Sequence, residues 1–113
     1  MKLKSELFFD TLILVGVAFA IMTTPQAALS ASAPATFAEV QSVVTQRCTV
    51  CHGAQMQHKN VRLDSPEEIV KHAQRIYQQA VVLKTMPKNN ATQITDAERA
   101  LIGRWFTAGA PRR

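Results

Sequence analysis

The sequence predicts an all-α domain with three main helices. Two segments, Ser65–Glu68 and Thr95–Glu98, carry the pattern of a helix-capping box, a hydroxyl residue followed three positions later by glutamate. Apolar residues in three segments recur every three or four positions, as they do on a helix with one buried face. No segment combines β-branched residues with strict apolar–polar alternation, so we predict no strand.

Residues 1–33 have the organisation of an export leader. A charged start is followed by an apolar run of 12 residues, Thr11 to Met22, and then by Ala/Ser-rich sequence. A bilayer span takes about 20 apolar residues, and Asp10 interrupts an upstream extension, so a cleaved signal peptide is favoured over an N-terminal membrane anchor. We therefore predict residues 34–113 to be one exported, periplasmic domain, tethered to the membrane only if the leader is retained.

Thr36 is predicted to cap the first helix, which ends at a cysteine motif. Its apolar face comprises Phe37, Val40 and Val44. The segment 53–64 is polar and aperiodic, which predicts a loop with Val61 and Leu63 as its apolar anchors.

The second helix begins with Ser65 as the cap, Pro66 at the first helical position and Glu68 closing the capping box. Its predicted buried stripe comprises Ile69, Ala73, Ile76 and Ala80. This pattern fades near Val82, ahead of a non-helical Met86-Pro87 segment.

The third helix begins at Thr95 and is expected to stop at Gly109, before Pro111. Its predicted apolar face comprises Ala97, Leu101, Trp105 and Ala108, flanked by Ile102 and Phe106. We expect Phe37 and Trp105 to pack together and join the two terminal helices.

The chain carries five more Lys and Arg than Asp and Glu, and the leader contributes none of this excess because Lys2 and Lys4 balance Glu6 and Asp10. Such a basic domain suits an acidic protein partner or an anionic surface, although scattered charge also simply favours solubility. Basic and aromatic residues do not interleave, so we expect no nucleic-acid partner.

The segment Cys48-Thr49-Val50-Cys51-His52 is the c-type haem attachment pattern. The spacing places both sulfurs and the imidazole on one side of a helical turn, which suits two thioether bonds to a porphyrin and an axial histidine ligand to iron. A domain of about 80 residues also needs a stabilising group in addition to its small core. A haem would add a large apolar surface to that core, whereas a disulfide between these cysteines would close a ring of only four residues and stabilise the domain little.

Three rival interpretations of the motif stay open. A zinc site needs four ligands, and the remaining histidines, His58 and His72, could complete one with the motif, although their spacing is not the usual paired one. A thioredoxin-like redox pair would require a βαβ context, which is not predicted. A disulfide between Cys48 and Cys51 leaves His52 without a role.

Met86 is the preferred sixth ligand to iron, since methionine with histidine is a standard axial pair. It lies 34 positions after His52 in a loop between two helices, from which a side chain can reach the opposite haem face. Ordinary core packing is the alternative role for this methionine. Met56 follows His52 too closely to reach that face with ease, His58 has slightly more slack, and His72 is expected at the surface or at a haem edge.

The order of helix, Cys48–His52 motif, loop, helix, Met86-Pro87 and terminal helix resembles the small class I cytochromes c from about Phe37 to Ala110. The segments 76–79, 82–87 and 98–106 are similar to the C-terminal cytochrome c domain of membrane-bound urate hydroxylases (urate oxidases). The resemblance implies one haem c attached through Cys48 and Cys51, ligated by His52 and Met86. It does not extend to urate oxidation, because one short hydrophobic segment is not a multi-span catalytic module.

These features together predict an exported monohaem electron carrier rather than an enzyme. Its expected partners are redox proteins, such as a membrane-bound oxidoreductase or a terminal oxidase. Two alternatives remain: a split or truncated cytochrome c subunit of a urate hydroxylase, and a haem sensor or peroxidase-like protein with an open distal site.

Overall fold

The computed structural model describes residues 33–113, so the predicted leader lies outside the described residues. Within this range the chain forms helix α1 (Phe37–Arg47), helices α2 (Pro66–Lys71) and α3 (Ala73–Ile76) with a π-helical continuation (Tyr77–Val82), and helix α4 (Asp96–Thr107). No strand occurs there, and a single isolated bridge joins His52 to Gln57. The all-α prediction with three main helical segments is confirmed. None of these helices is long and apolar enough to cross a bilayer.

Helix α1 begins as predicted at Thr36. The Thr36 hydroxyl accepts a hydrogen bond from the Glu39 amide (3.3 Å), and the Glu39 carboxylate accepts one from the Thr36 amide (2.8 Å). This reciprocal capping box satisfies two backbone donors that a helix start leaves free. The buried face consists of Phe37, Val40, Val43 and Val44. The helix therefore delivers its last residue, Arg47, directly to the cysteine motif.

The second predicted helix is present but broken. The Ser65 hydroxyl caps its start by accepting from the Glu68 amide (3.3 Å), whereas the Glu68 carboxylate turns to Lys71 and His72 instead of closing the box. At His72 the backbone leaves helical geometry (φ −99°, ψ 12°), which separates α2 from α3. The predicted buried stripe is nevertheless confirmed, with exposures of 6% or less at Ile69, Ala73, Ile76 and Ala80.

Helix α4 starts at Thr95 with a complete capping box, as predicted. Its buried face is rotated from the predicted one: Ile102 and Trp105 are fully buried, whereas Ala97 and Ala108 are exposed. The rotation follows from packing on two sides, because α4 contacts both α1 and the π-helical segment. A helix between two neighbours buries the residues that point between them rather than a single stripe.

The end of α4 is a Schellman motif. The Gly109 amide donates to Phe106 O (2.9 Å) and the Ala110 amide to Trp105 O (3.0 Å). Gly109 has φ +96°, a left-handed conformation that favours glycine, so the predicted stop at this residue is confirmed.

Aromatic pairs join the terminal helices to the rest of the core. The rings of Phe37 and Trp105 lie 6.1 Å apart with a 45° tilt, which confirms the predicted contact between α1 and α4. Tyr77 stacks on Phe106 at 4.3 Å, where the π-helical segment meets α4. Both separations fall in or close to the range in which aromatic pairs add to the energy of burial.

An ion pair fixes the end of α1 against the start of α4. The Arg47 guanidinium donates to both carboxylate oxygens of Glu98, with its shortest contact at 2.9 Å, and to Thr92 O at 2.7 Å. The Thr92 hydroxyl returns a bond to Arg47 O at 2.7 Å. Because Arg47 directly precedes Cys48, these bonds anchor the chain just before the cysteine motif.

Replacing Glu98 with glutamine is expected to lower the free energy of unfolding at pH 7 by about 1 kcal/mol, because the charge of the ion pair is lost whereas the glutamine oxygen still accepts the Thr95 amide bond of the capping box. Hydrogen bonds from Arg47, and then from the Thr95 amide, hold the pKa of Glu98 below its ordinary 4.5. A depressed native pKa contributes stability above pH 4.5 that disappears as the pH falls through the native value. Urea titrations across this range should therefore show wild type and Glu98→Gln converging in acid.

The matched control is Asp96→Asn, since the Asp96 side chain lies in the same helical turn and is 91% exposed. We expect it to change stability by less than about 0.5 kcal/mol. A constant difference between wild type and Glu98→Gln from neutral to acid pH would contradict the linkage to Glu98.

Candidate functional site

The cysteine motif continues α1 by one turn. The Cys48 amide donates to Val44 O (2.8 Å), and the His52 amide donates back to Cys48 O (2.9 Å). Gly53 makes this turn possible: a Cβ atom there would lie 2.5 Å from Thr49 O, so no other residue fits without a backbone shift. The turn thus brings His52 close to Cys48 in space.

A cleft of about 290 Å³ lies beside this turn. We call it the central cleft; three predicted site residues, Cys48, His52 and Met86, line it. Its apolar wall comprises Val61, Leu63, Ile76 and Ala80, and its polar border comprises Lys59, His72, Arg75 and Gln79. The volume is near the lower end of the roughly 300–1,000 Å³ found for small-molecule sites. The fourth predicted residue, Cys51, is exposed and does not line the cleft.

The loop after the motif orients the His52 ring. His52 Nδ1 lies 3.2 Å from Val61 O, and the Leu63 amide donates to His52 O at 2.7 Å. A carbonyl oxygen only accepts, so Nδ1 is the donor of this bond, and in the neutral ring the lone pair is then on Nε2. Metal-binding histidines are commonly fixed in this way, with one ring nitrogen donating to a carbonyl and the other free for the metal.

The Met86 backbone is held on both sides. Its amide donates to Gln79 O (3.1 Å), and its carbonyl accepts from Arg99 Nη1 (2.8 Å). Met86 lines the central cleft although the residue remains 37% exposed. Met86 therefore occupies a defined place at the cleft edge without being core packing.

Sequence reasoning missed Arg99. A signal was available, because Arg99 precedes Ile102 and Trp105 at three-residue intervals and so falls on the buried side of α4. The apolar face predicted for this helix runs through Ala97 and Leu101 and therefore does not include Arg99.

The other candidate iron ligands are distributed unequally. Met56 is 47% exposed, and neither it nor the exposed His58 lines the central cleft. The His58 ring packs edge-on near His52, with centroids 6.4 Å apart. His72 does line the cleft, and its Nε2 lies 3.3 Å from a Glu68 carboxylate oxygen. Met86 and His72 are thus the two candidates that share the cleft with His52.

Both thiols are free. Burial raises the pKa of Cys48 to about 11, an effect that the nearby Arg99 charge only partly opposes. Cysteines that act in redox exchange or as activated nucleophiles have lowered pKa values, because the thiolate is the reactive form. The environment of Cys48 is the opposite of the one a thioredoxin-like redox pair requires.

Within the described range no three His, Cys, Asp or Glu side chains are grouped as a metal site would need, so the zinc interpretation finds no ligand set there.

No protein-family model, curated protein or solved structure matches this chain.

Proposed function

We propose that this protein is an exported monohaem c-type cytochrome that carries single electrons between redox partners and is not itself an enzyme. The observation that carries the proposal is the shared cleft. Cys48, His52 and Met86 come from positions up to 38 residues apart, yet all three line the same mainly apolar cavity. A redox pair or a disulfide alone would explain neither His52 nor Met86.

The chemistry of the lining residues fits a haem. Cys48 and Cys51 would provide the two thiols for thioether bonds, and His52 Nε2 and the Met86 thioether would provide the two donor atoms for iron. The apolar wall suits the faces of a porphyrin, while Lys59 and Arg75 at the border carry charge of the sign that attracts propionates. When bound, the haem would supply an iron that accepts and returns one electron.

The protein's own residues set what such an iron could do. The hydrogen bond to Val61 O selects the tautomer of the neutral His52 ring in which Nε2 carries the lone pair, so Nε2 is the nitrogen that the fold offers to a metal. Met86 as the second donor would raise the reduction potential of the iron relative to a second histidine and would block binding of oxygen or peroxide. Both effects favour electron transfer over catalysis.

We infer that the fold is of the class I cytochrome c type and that residues 34–113 form the cytochrome domain. The positive charge of this domain favours an acidic redox partner, such as a membrane-bound oxidoreductase or a terminal oxidase. Export to the periplasm by residues 1–33, as a cleaved signal peptide or a retained anchor, belongs to the same proposal. A split or truncated cytochrome subunit of a urate hydroxylase is the variant that the sequence resemblance suggests.

The second candidate function is a haem sensor or peroxidase-like protein. The exposure of Met86, at 37%, favours it, because a partly exposed loop residue is easier to displace from iron than a buried one. Carbon monoxide separates the two candidates, since it binds reduced haem iron only where an axial position is open.

The test of the proposed function is to express the full chain in a host with cytochrome c maturation machinery and measure its intact mass and reduction potential. We expect a mass increase of one haem, haem staining that survives denaturing electrophoresis, and a reversible one-electron titration. The same chain from a host without that machinery is the control. A bare polypeptide mass from the competent host would refute the proposal.

A further inference from the structure

Arg99 is the one charged residue buried in the part of the chain the structure describes, with 7% exposure. No carboxylate among residues 33–113 lies within ion-pair distance of it. Its Nη1 instead donates to two main-chain carbonyls, Ala80 O and, at 2.8 Å, Met86 O. A buried cation loses its hydration, so these carbonyl oxygens are what replaces water around the guanidinium.

The two carbonyls belong to the segment that leads into the central cleft. Ala80 lies in the π-helical turn, and Met86 lies in the loop that follows it. π-Helical turns are rare and occur often at functional sites. One guanidinium nitrogen of α4 thus joins the turn to the loop.

Arg99 itself sits on a rigid part of α4. The Thr95 capping box fixes the start of the helix at one side of it, and the fully buried Ile102 and Trp105 fix the helix at the other. The turn and the loop that Arg99 contacts are therefore tied to a helix whose next two inward-facing residues are fully buried.

The Met86 loop has little else to hold it. Leu83 is 53% exposed and Met86 37%, so the loop buries little apolar surface. Besides the Arg99 bond, the loop is anchored through Gln79 O, which accepts from the Thr85 amide (2.9 Å) and the Met86 amide (3.1 Å). All of the Gln79 contacts come from the same local turn. Two contacts link the loop to α4: the buried Arg99 bond and an exposed ion pair between Lys84 and Asp96 (3.4 Å), and such an exposed pair contributes little.

We propose that Arg99 is a positioning residue that holds Met86 at the central cleft by binding the Met86 carbonyl from α4. This inference rests on the proposed function, in which the Met86 side chain closes one axial side of the haem. Loss of the Arg99 bond releases the Met86 backbone, so the thioether leaves the cleft more often and external ligands enter in its place. Arg99 touches neither the proposed haem ligands' donor atoms nor a substrate, and it acts only through the backbone.

The test compares Arg99→Gln and the milder Arg99→Lys with Arg104→Gln, which changes an exposed arginine of the same helix. The first readout is the affinity of the oxidised holoprotein for imidazole, which reports how often the distal side is open. The second is amide hydrogen exchange of residues 83–86 relative to α1, which reports loop opening whether or not haem is attached.

We expect Arg99→Gln to bind imidazole at least about tenfold more tightly than wild type. The reason is that the fraction of molecules with an open distal side, which alone can bind imidazole, rises by that factor. Exchange in residues 83–86 should accelerate by a similar factor while exchange in α1 stays unchanged. In both measurements Arg99→Lys should give values between those of wild type and Arg99→Gln. Lysine keeps the positive charge, but its ammonium group lacks the planar set of donors of the guanidinium. Arg104→Gln should match wild type.

Wild-type imidazole affinity and wild-type loop exchange in Arg99→Gln would overturn the proposal. If Arg99→Gln does not fold, the comparison of Arg99→Lys with Arg104→Gln decides it, and equality of the two overturns it. Absence of haem from every protein, wild type included, refutes the proposed function instead. Hydrogen exchange then decides on its own whether Arg99 holds the loop.

Discussion

Met86→Ala is expected to retain the covalent haem, to bind carbon monoxide in the reduced state at neutral pH, and to lose the weak far-red absorption band of methionine-ligated oxidised haem. The physical reason is that Met86 is the thioether lining the central cleft with His52. An alanine side chain has no donor atom and leaves an axial position open. Wild type, by contrast, should not bind carbon monoxide without denaturant.

The reduction potential of Met86→Ala should fall by roughly 0.1 V or more, within the ~0.8 V that axial ligation spans in haem proteins. Methionine is a weak donor that favours the reduced iron, so its replacement by water or hydroxide favours the oxidised form. Potentiometric titration at fixed pH measures this directly.

Two control variants make the result specific. Met56→Ala should behave as wild type, because Met56 is 47% exposed and does not line the central cleft. His72→Gln should keep the far-red band, although His72 does line the cleft. Persistence of the band in Met86→Ala would exclude Met86 as a ligand, and its loss only in Met56→Ala would reassign the site. A wild type that binds carbon monoxide would favour the sensor or peroxidase-like function.

Trp105→Ala is expected to destabilise the domain by about 3–5 kcal/mol, a larger effect on stability than that of Glu98→Gln. Trp105 has no exposed surface, contacts the Phe37 ring, and donates from Nε1 to Pro111 O at 2.8 Å. Its truncation leaves a cavity between α1 and α4 and an unpaired carbonyl. Since domains are stable by only about 5–15 kcal/mol, a large part of the total is removed.

Chemical denaturation followed by circular dichroism, with wild type and variant in the same haem state, measures this effect. Trp105→Phe separates its two causes, because it keeps an aromatic ring near Phe37 and loses the bond to Pro111 O. We expect Trp105→Phe to cost about 1–2 kcal/mol. Equal destabilisation by the two variants would show that the hydrogen bond rather than packing dominates at this position.

The helix starts could be predicted because they depend on neighbours along the chain. The capping hydroxyls of Thr36, Ser65 and Thr95 each accept from an amide three residues later. The buried stripe from Ile69 to Ala80 is likewise a matter of helical period. The reciprocal bond from Glu68 does not form, because its carboxylate contacts Lys71 and His72 one turn further along. The sequence shows both local options and does not show which of them the carboxylate adopts.

The residues of the candidate site could be predicted from the sequence, but their arrangement in space could not. The Cys48–His52 motif and Met86 are recognisable in the sequence, but their meeting in one cleft depends on the break at His72, the π-helical turn and the loop after it. The rotated face of α4 could not be predicted, because packing against two neighbours decided it.

The sequence by itself determined where the helices begin, that no strand would form among residues 33–113, and which side chains could hold a haem. The tertiary structure alone decided the tautomer of His52, set by a carbonyl 9 positions away, and the hold on Met86, provided by an arginine 13 positions away. It also decided the anchoring of the motif by an ion pair across 51 positions. Caps and periodicity come from contacts within one helical turn, whereas these features come from contacts that exist only once the helices have packed.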